Sequence, residues 1–386
     1  MKFSKIGDSL YIKGRIGWKG LKKSEYLTDG EYRIINATSI VEGQIDWSDA
    51  GFISKERYDE SPEIMLQNND ILISKDGTIG KVGLVSNLPK PATVASGVFV
   101  VRNLNHDKWN TKYLYYYFMS IYFKNFIESR KEGSVIPHLY QRDFEQLNIP
   151  EYSITIQNKI VDILDSITNK IRVNQQINDN LVEMATALFN SKVVNNTNFE
   201  EKSLTEIANY KNGLAMQKFR PKDGETVLPV LKIRELNQGS TDGTTELATS
   251  TIDEAVKVFD GDVIFSWYGT LLVKLWTGGD AALNQHLFKV TSTKYPKWFY
   301  YLWTLHHLRR FQNVAKSKAT TMGHIKRSDL SDSKVLVPDT EELSELNTIF
   351  EPIIEQIVNL GIQIKLLEKT RDQLLPKLLS GEIELN

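Results

Sequence analysis

The chain contains no cysteine, no acidic residue from Ala281 to Ser328, and no apolar run near the roughly 18 residues that a membrane span requires. Each lack excludes a class of protein. Without cysteine there are no disulfides, no thiolate zinc sites and no thiol nucleophile, and a reducing cytoplasm is the expected location. The opening residues, from Met1 to Gly14, form no apolar h-region, so neither a secretory leader nor a membrane is expected. The six histidines show no metal-ligand spacing, and His306 and His307, being adjacent, cannot share a helix face. The stretch from Gly77 to Val82 has neither the spacing nor the hydroxyl of a phosphate-binding loop. No Asn/Asp-Pro-Pro-aromatic tetrapeptide occurs, and Asp223, Glu225 and Lys232 are too loosely set around Gly224 to read as nuclease chemistry. We therefore expect no catalytic residue, no metal site and no cofactor on this chain.

What is present is ordinary in amount and unusual in arrangement. At 386 residues, 41% hydrophobic and 25% charged, the chain is long enough for two or three domains. Its net charge of −1 hides a blockwise distribution. The acid-free stretch holds Lys289, Lys294, Lys297, Arg309, Arg310, Lys316 and Lys318, and Lys326 and Arg327 close it. Residues 1–24 hold Lys2, Lys5, Lys13, Arg15, Lys19, Lys22 and Lys23 against the single acid Asp8. Acids gather instead after Thr340. Two basic clusters in matching halves favour a polyanionic partner over a generally solvated surface.

The halves match in more than charge, with a period of roughly 190 residues, far beyond solenoid repeats. Asn69-Asp-Ile-Leu-Ile-Ser-Lys-Asp-Gly-Thr78 aligns with Gly261-Asp-Val-Ile-Phe-Ser-Trp-Tyr-Gly-Thr270. Lys112–Phe118 aligns with Lys297–Trp303, Pro137-His138 and Asp143 with Gly323-His324 and Asp329, and Ile149-Pro150 with Val337-Pro338. Strands are expected at 32–36, 70–74, 82–86 and 98–102, and again at 230–233, 263–267 and 286–290. The aromatic stretches 113–126 and 298–311 read as helices packed on those strands.

Between and after the halves run heptads. The first seam is Ile160, Ile163, Ile167, Lys170, Asn174, Ile177, Leu181, Met184 and Leu188. The second is Leu343, Leu346, Phe350, Ile353, Ile357, Leu360, Ile364, Leu367, Arg371, Leu374 and Leu378. Neither helix can bury such a seam alone, so the two are expected to pair as an antiparallel coiled coil. Asn174 would fix the register, Arg371 would snorkel or meet an acid, and Pro352 would kink the second helix or mark a broken first turn. The expected fold is α+β: two tandem mixed α/β domains separated by two long helices, pseudo-two-fold symmetric. The boundaries fall at 1–152, 153–195, 196–339 and 340–386. A spacer helix of roughly 35 residues is about 50 Å long, and one turn of B-DNA is about 34 Å, so two heads on such a ruler could address two half-sites.

The ending Arg371-Asp-Gln-Leu-Leu-Pro-Lys-Leu-Leu-Ser-Gly-Glu-Ile-Glu384 resembles the C-terminal conserved helix of type I restriction–modification specificity subunits. Arg15–Leu21 with Ser24–Leu27 is similar to the opening of one subgroup of their target recognition domains. The run at Gly261, the Asn284-Gln-His286 triplet and the run ending at Pro338 resemble the same family. This resemblance covers nearly the whole chain. It implies a domain order of target recognition domain, helix, target recognition domain, helix. It also implies one half-site of a bipartite double-stranded DNA target per recognition domain, two methyltransferase subunits docked on the helices, and a restriction–translocase subunit on that core. S-adenosylmethionine would belong to the methyltransferase subunit.

On that footing the candidate DNA contacts in the first half are Arg15, Trp18, Lys19, Lys22, Lys23, Lys75, Arg130, Ser134, His138, Gln141 and Arg142. In the second half they are Lys211, Gln217, Lys218, Arg220, Trp267, Tyr268, Lys316, Lys318, Thr320, Thr321, His324, Lys326 and Arg327. Lysines and arginines are suited to phosphates, and the aromatic, amide and hydroxyl side chains to base edges. The alternatives are a specificity module of a type II-like bipartite system, and a coiled-coil protein–protein adaptor.

Overall fold

Asn69 and Gly261 both hold the left-handed backbone conformation, at φ 73° and 85°, and each is followed by an aspartate that closes the turn into a buried strand. Asp70 accepts from the Gln67 amide at 2.7 Å, and Asp262 from the Phe259 amide at 2.8 Å. Each aspartate also meets a cation from the neighbouring strand, Arg102 at 2.7 Å and Lys289 at 2.7 Å. The strands that follow, Ile71–Ser74 and Val263–Ser266, are buried at every position. That is why they read as continuous apolar runs rather than alternating ones.

The computed structural model describes residues 2–130, 139–196, 198–317 and 323–385, without the side chains of Trp18 and Glu145. It divides into two compact units, residues 1–168 with 369–386, and residues 169–368. In the first, a four-stranded sheet has the order Leu10–Gly14, Val98–Asn103, Ile71–Ser74, Val82–Leu84. A second sheet orders Gly51–Ile53, Tyr32–Ile35, Ala92–Val94, the last two strands being parallel. Lys2–Lys5 pairs antiparallel with Asn148–Glu151.

The second unit repeats each of these pieces. Its four-stranded sheet runs Asn209–Asn212, Leu287–Thr291, Val263–Ser266, Val273–Leu275. A second sheet contains the parallel pair Val227–Leu231 and Ala281–Leu283, and Glu200–Ser203 pairs antiparallel with Lys334–Val337. The aromatic stretches are core in both units. Tyr113 to Phe118 lie buried in a helix that stops at Ser120 before a second short helix, Ile121–Glu128. Trp298 to Thr304 lie buried in one uninterrupted helix, Lys297–Ser317.

Two long helices complete the units, a central one over Ile154–Phe189 and a C-terminal one over Thr340–Ser380. Within the second unit they are antiparallel: Asn174 Nδ2 donates to Gln363 Oε1 at 3.4 Å, while Phe189, further along, faces Phe350 at 6.3 Å. Within the first unit, Ile160, Val161 and Leu164 share a core with Leu375, Leu378 and Leu379. Of the seam positions, Ile160, Asn174, Phe350, Ile357, Ile364 and Leu378 are buried, and Ile167, Leu181, Leu188 and Arg371 are half-buried. Arg371 Nε meets Asp372 at 2.9 Å. Three expectations need correction. Ile177 and Met184 are exposed, and the buried line runs instead through Leu164, Ile171, Ala185 and Phe189. A straight helix of 3.6 residues per turn drifts away from a strict heptad, and both ends of this one serve globular cores as well as a partner helix. Pro352 does not mark a broken first turn: the C-terminal helix is continuous from Thr340 to Ser380.

Candidate nucleic-acid interface

The same turn is built at the end of the same strand in each unit. Ser74 Oγ donates to the Thr78 carbonyl at 2.6 Å, and Ser266 Oγ to the Thr270 carbonyl at 2.7 Å. Gly77 and Gly269 take φ of 65° and 64°, a region that glycine enters without a Cβ penalty. The residue after each serine is tied from both sides. The Lys75 amide donates to Gly97 O at 2.9 Å and its carbonyl accepts from Leu139 at 3.3 Å. The Trp267 amide donates to His286 O at 3.4 Å and its carbonyl accepts from Ile325 at 3.1 Å. In the second unit Gly269 also donates to Gly323 O at 2.9 Å, and Tyr268 and His324 form an isolated antiparallel bridge.

Around the second unit's turn the side chains form an aromatic group. Tyr268 stacks on His286 at 4.6 Å between ring centres and lies 6.3 Å from His324, with both planes tilted by under 30°. Trp267 packs on Phe288 at 5.8 Å and His286 at 6.0 Å. Trp267 Nε1 and His286 Nδ1 are buried atoms with no hydrogen-bond partner among the described residues. Arg327 lies 5.7 Å from the Phe288 ring, and its guanidinium donates to Tyr210 O at 3.4 Å. Lys211, Gln217, Lys218, Arg220, Lys316, Lys326 and Arg327 are all exposed. Lys211 lies on the strand Asn209–Asn212, and Gln217 and Lys218 on a short turn over Met216–Lys218.

The first unit's turn carries a lysine where the second has Trp267. Lys75 lies half-buried with its Nζ 4.9 Å from the Phe99 ring centre. Gln141 and Arg142 are exposed, Arg142 over the Tyr140 ring at 5.0 Å. Arg130 is exposed and donates to Gln146 Oε1 at 2.8 Å. Lys22 and Lys23 are exposed, whereas Lys19 is half-buried and donates to Glu60 O at 2.5 Å.

Arg15 is a correction. Its side chain is 2% exposed and donates to Val94 O at 3.1 Å, Thr93 Oγ1 at 3.3 Å and Ser61 Oγ at 3.4 Å. Burial, and then the neighbouring Arg57, holds its guanidinium below the usual arginine pKa. A cation so enclosed braces the fold and has no face for a phosphate. Ser134, His138, Lys318, Thr320 and Thr321 lie outside the described residues, as does the side chain of Trp18. Sequence reading passed over Gln285 and His286 as contacts. Gln285 Nε2 lies 3.3 Å from His286 Nε2, and both are half-buried beside Tyr268. Their only signal was the polar Asn-Gln-His triplet interrupting two apolar stretches.

Among the described residues no cluster of histidine and carboxylate is arranged to hold a metal, and no helix is long and apolar enough to cross a membrane. Two units of one topology, each with the same braced turn and with exposed cations elsewhere on its surface, make a duplicated module. The family model for the type I restriction modification DNA specificity domain matches residues 1–183 and again 196–368, and the chain belongs to that family. It is 26% identical over 344 residues to the type I restriction enzyme MjaIX specificity subunit of Methanocaldococcus jannaschii, covering 82% of this chain and 78% of that protein. It is 27% identical over 161 residues to the StySPI specificity subunit of Salmonella potsdam, covering 42% and 34% of the two chains. The crystal structure of the S subunit of a type I restriction–modification system from M. genitalium shares the fold, with a TM-score of 0.51, 15% identity and coverage of 98% and 96%.

Proposed function

We propose that this chain is the DNA specificity subunit of a type I restriction–modification complex, a component without catalysis of its own that tells its partners where to act. It assembles with methyltransferase and restriction subunits, and it works in the cytoplasm on double-stranded DNA. The observation that carries this reading is the duplication itself: one sheet and one braced turn, built twice in a chain of this family. Each unit reads one half of a bipartite target. Cations such as Lys211, Lys316, Lys326 and Arg327 supply sequence-independent hold on phosphates, and the turn residues supply discrimination.

Two methyltransferase subunits dock on the long helices. The support is apolar surface left on them: Val173, Ile177 and Met184 on the central helix and Ile362 on the C-terminal one are all exposed. Exposed aliphatic residues on one face of a helix suit burial against a partner. S-adenosylmethionine is bound by those subunits, not by this chain. The test is an exchange of residues 200–338 for the corresponding unit of another family member, followed by mapping of methylated bases in the host genome. One half of the recognised sequence changes and the other stays. A change in both halves rejects the assignment of one unit to one half-site.

A further inference from the structure

The turn that ends the buried strand has two kinds of position. Serine, glycine and threonine recur in both units, Ser74, Gly77 and Thr78 in one and Ser266, Gly269 and Thr270 in the other. They make the same hydrogen bond and the same left-handed bend. The two residues between serine and glycine differ completely, Lys75-Asp76 against Trp267-Tyr268. The backbone of the first of the two is held at the same two points, through Gly97 and Leu139 for Lys75 and through His286 and Ile325 for Trp267. One bend is therefore built around a lysine and an aspartate in the first unit and around two aromatic residues in the second. The facing position varies in the same way. A Cβ placed on Gly97 would sit 3.7 Å from the Asp76 Cβ, and at the matching place His286 stacks on Tyr268 at 4.6 Å.

Resting on the specificity-subunit reading, we propose that these framed positions are the specificity-determining side chains of each unit. In the second unit they are Trp267, Tyr268 and His286, with His324 on the far side of Tyr268. In the first they are Lys75 and Asp76. The ligand is the edge of base pairs in a DNA groove. Tyr268 and the two imidazoles stand as near-parallel rings, each carrying polar atoms on its rim, and the Gln285 amide lies beside them. Hydroxyl, imidazole and amide groups can each donate or accept, which is the equipment for base-edge hydrogen bonds. In the first unit the lysine offers a point charge instead, suited to the O6 and N7 acceptors of guanine. The two half-sites are consequently read by different chemistry from one scaffold.

The test uses the full chain assembled with its methyltransferase subunits, and selection from a randomised duplex library followed by sequencing. Tyr268→Phe keeps the ring and removes the hydroxyl; His286→Gln keeps polarity and removes the imidazole; Lys75→Gln removes the charge in the other unit. Each is expected to relax base preference about 5- to 150-fold at one position. The first two act in one half-site and the third in the other, and Tyr268→Phe leaves the salt dependence of binding unchanged. A uniform loss of binding with every base preference intact overturns the proposal, as does loss of preference in the same half-site by Tyr268→Phe and Lys75→Gln. Should His286→Gln prevent folding, Tyr268→Phe and Lys75→Gln decide the matter between them. A wild-type complex that selects no bipartite sequence overturns the specificity-subunit reading itself, a result separate from variants that keep wild-type preferences.

Discussion

Replacing Arg15 by alanine separates a structural cation from a DNA-binding one. The guanidinium donates to one carbonyl, Val94 O, and two hydroxyl oxygens, those of Thr93 and Ser61, all within a buried site. Removal leaves Val94 O and the Ser61 hydroxyl without this donor, while Thr93 keeps its own bond to Ile64 O at 3.2 Å. Each buried polar group so stripped costs about 1–3 kcal/mol, and the vacated volume adds to that. Relief from holding a charge out of water offsets part of the loss. A net cost of about 3 kcal/mol results, which makes opening of the first unit about 150-fold more frequent, since about 1.4 kcal/mol is a factor of ten. Hydrogen exchange followed by mass spectrometry over the strand Ala92–Val94 should accelerate by about that factor, with the salt slope of DNA binding unaltered. Exchange within about three-fold of wild type, together with a salt slope smaller by about one, would mean that Arg15 neutralises a phosphate, and the structural account would fail.

Lys316→Glu is expected to weaken binding to all duplexes alike and to flatten the salt dependence, and an unchanged titration from low to high salt rejects it as a phosphate contact. Phe350, fully buried and stacked on Trp298 at 4.5 Å, should cost about 3–5 kcal/mol when changed to alanine, measured by the shift in urea midpoint. His307 is held down at about 4, chiefly by burial, whereas an unfolded histidine titrates near ~6.5. Between those values the unfolded chain binds the extra proton, so this contribution is complete above about 6.5 and is lost as pH falls towards about 4. His307→Phe should shallow the acid limb of the stability profile, and a superimposable limb refutes it.

The duplicated architecture was legible because it rests on local chemistry. Strand runs and the order of paired motifs survive translation from sequence to coordinates. The C-terminal helix was legible for the same reason, its seam residues Phe350, Ile357, Ile364 and Leu378 being buried. The central helix was read less well. Heptad spacing assumes one partner along the whole length, and this helix serves a globular core at each end, so Ile177 and Met184 fall outside and Leu164 and Ala185 inside. Arg15 misled because a charged residue beside glycines looks like a surface loop, and only the distant Thr93 and Ser61 show that it is enclosed. His286 was hidden for the converse reason: nothing local links it to Tyr268, and the strand pairing that joins them spans the intervening hairpin.

Leu375, Leu378 and Leu379 belong to the core of the first unit, although the ribosome makes them after the whole of the second. Residues 1–168 must therefore wait for residues 369–386, made after 169–368. At about 5–20 residues per second, that leaves Ile160, Val161 and Leu164 without their partners for on the order of ten seconds or more. Nascent chains carry an unfinished apolar face while residues 169–368 are made, so a stop codon ahead of Leu375 would damage the unit built from residues 1–168.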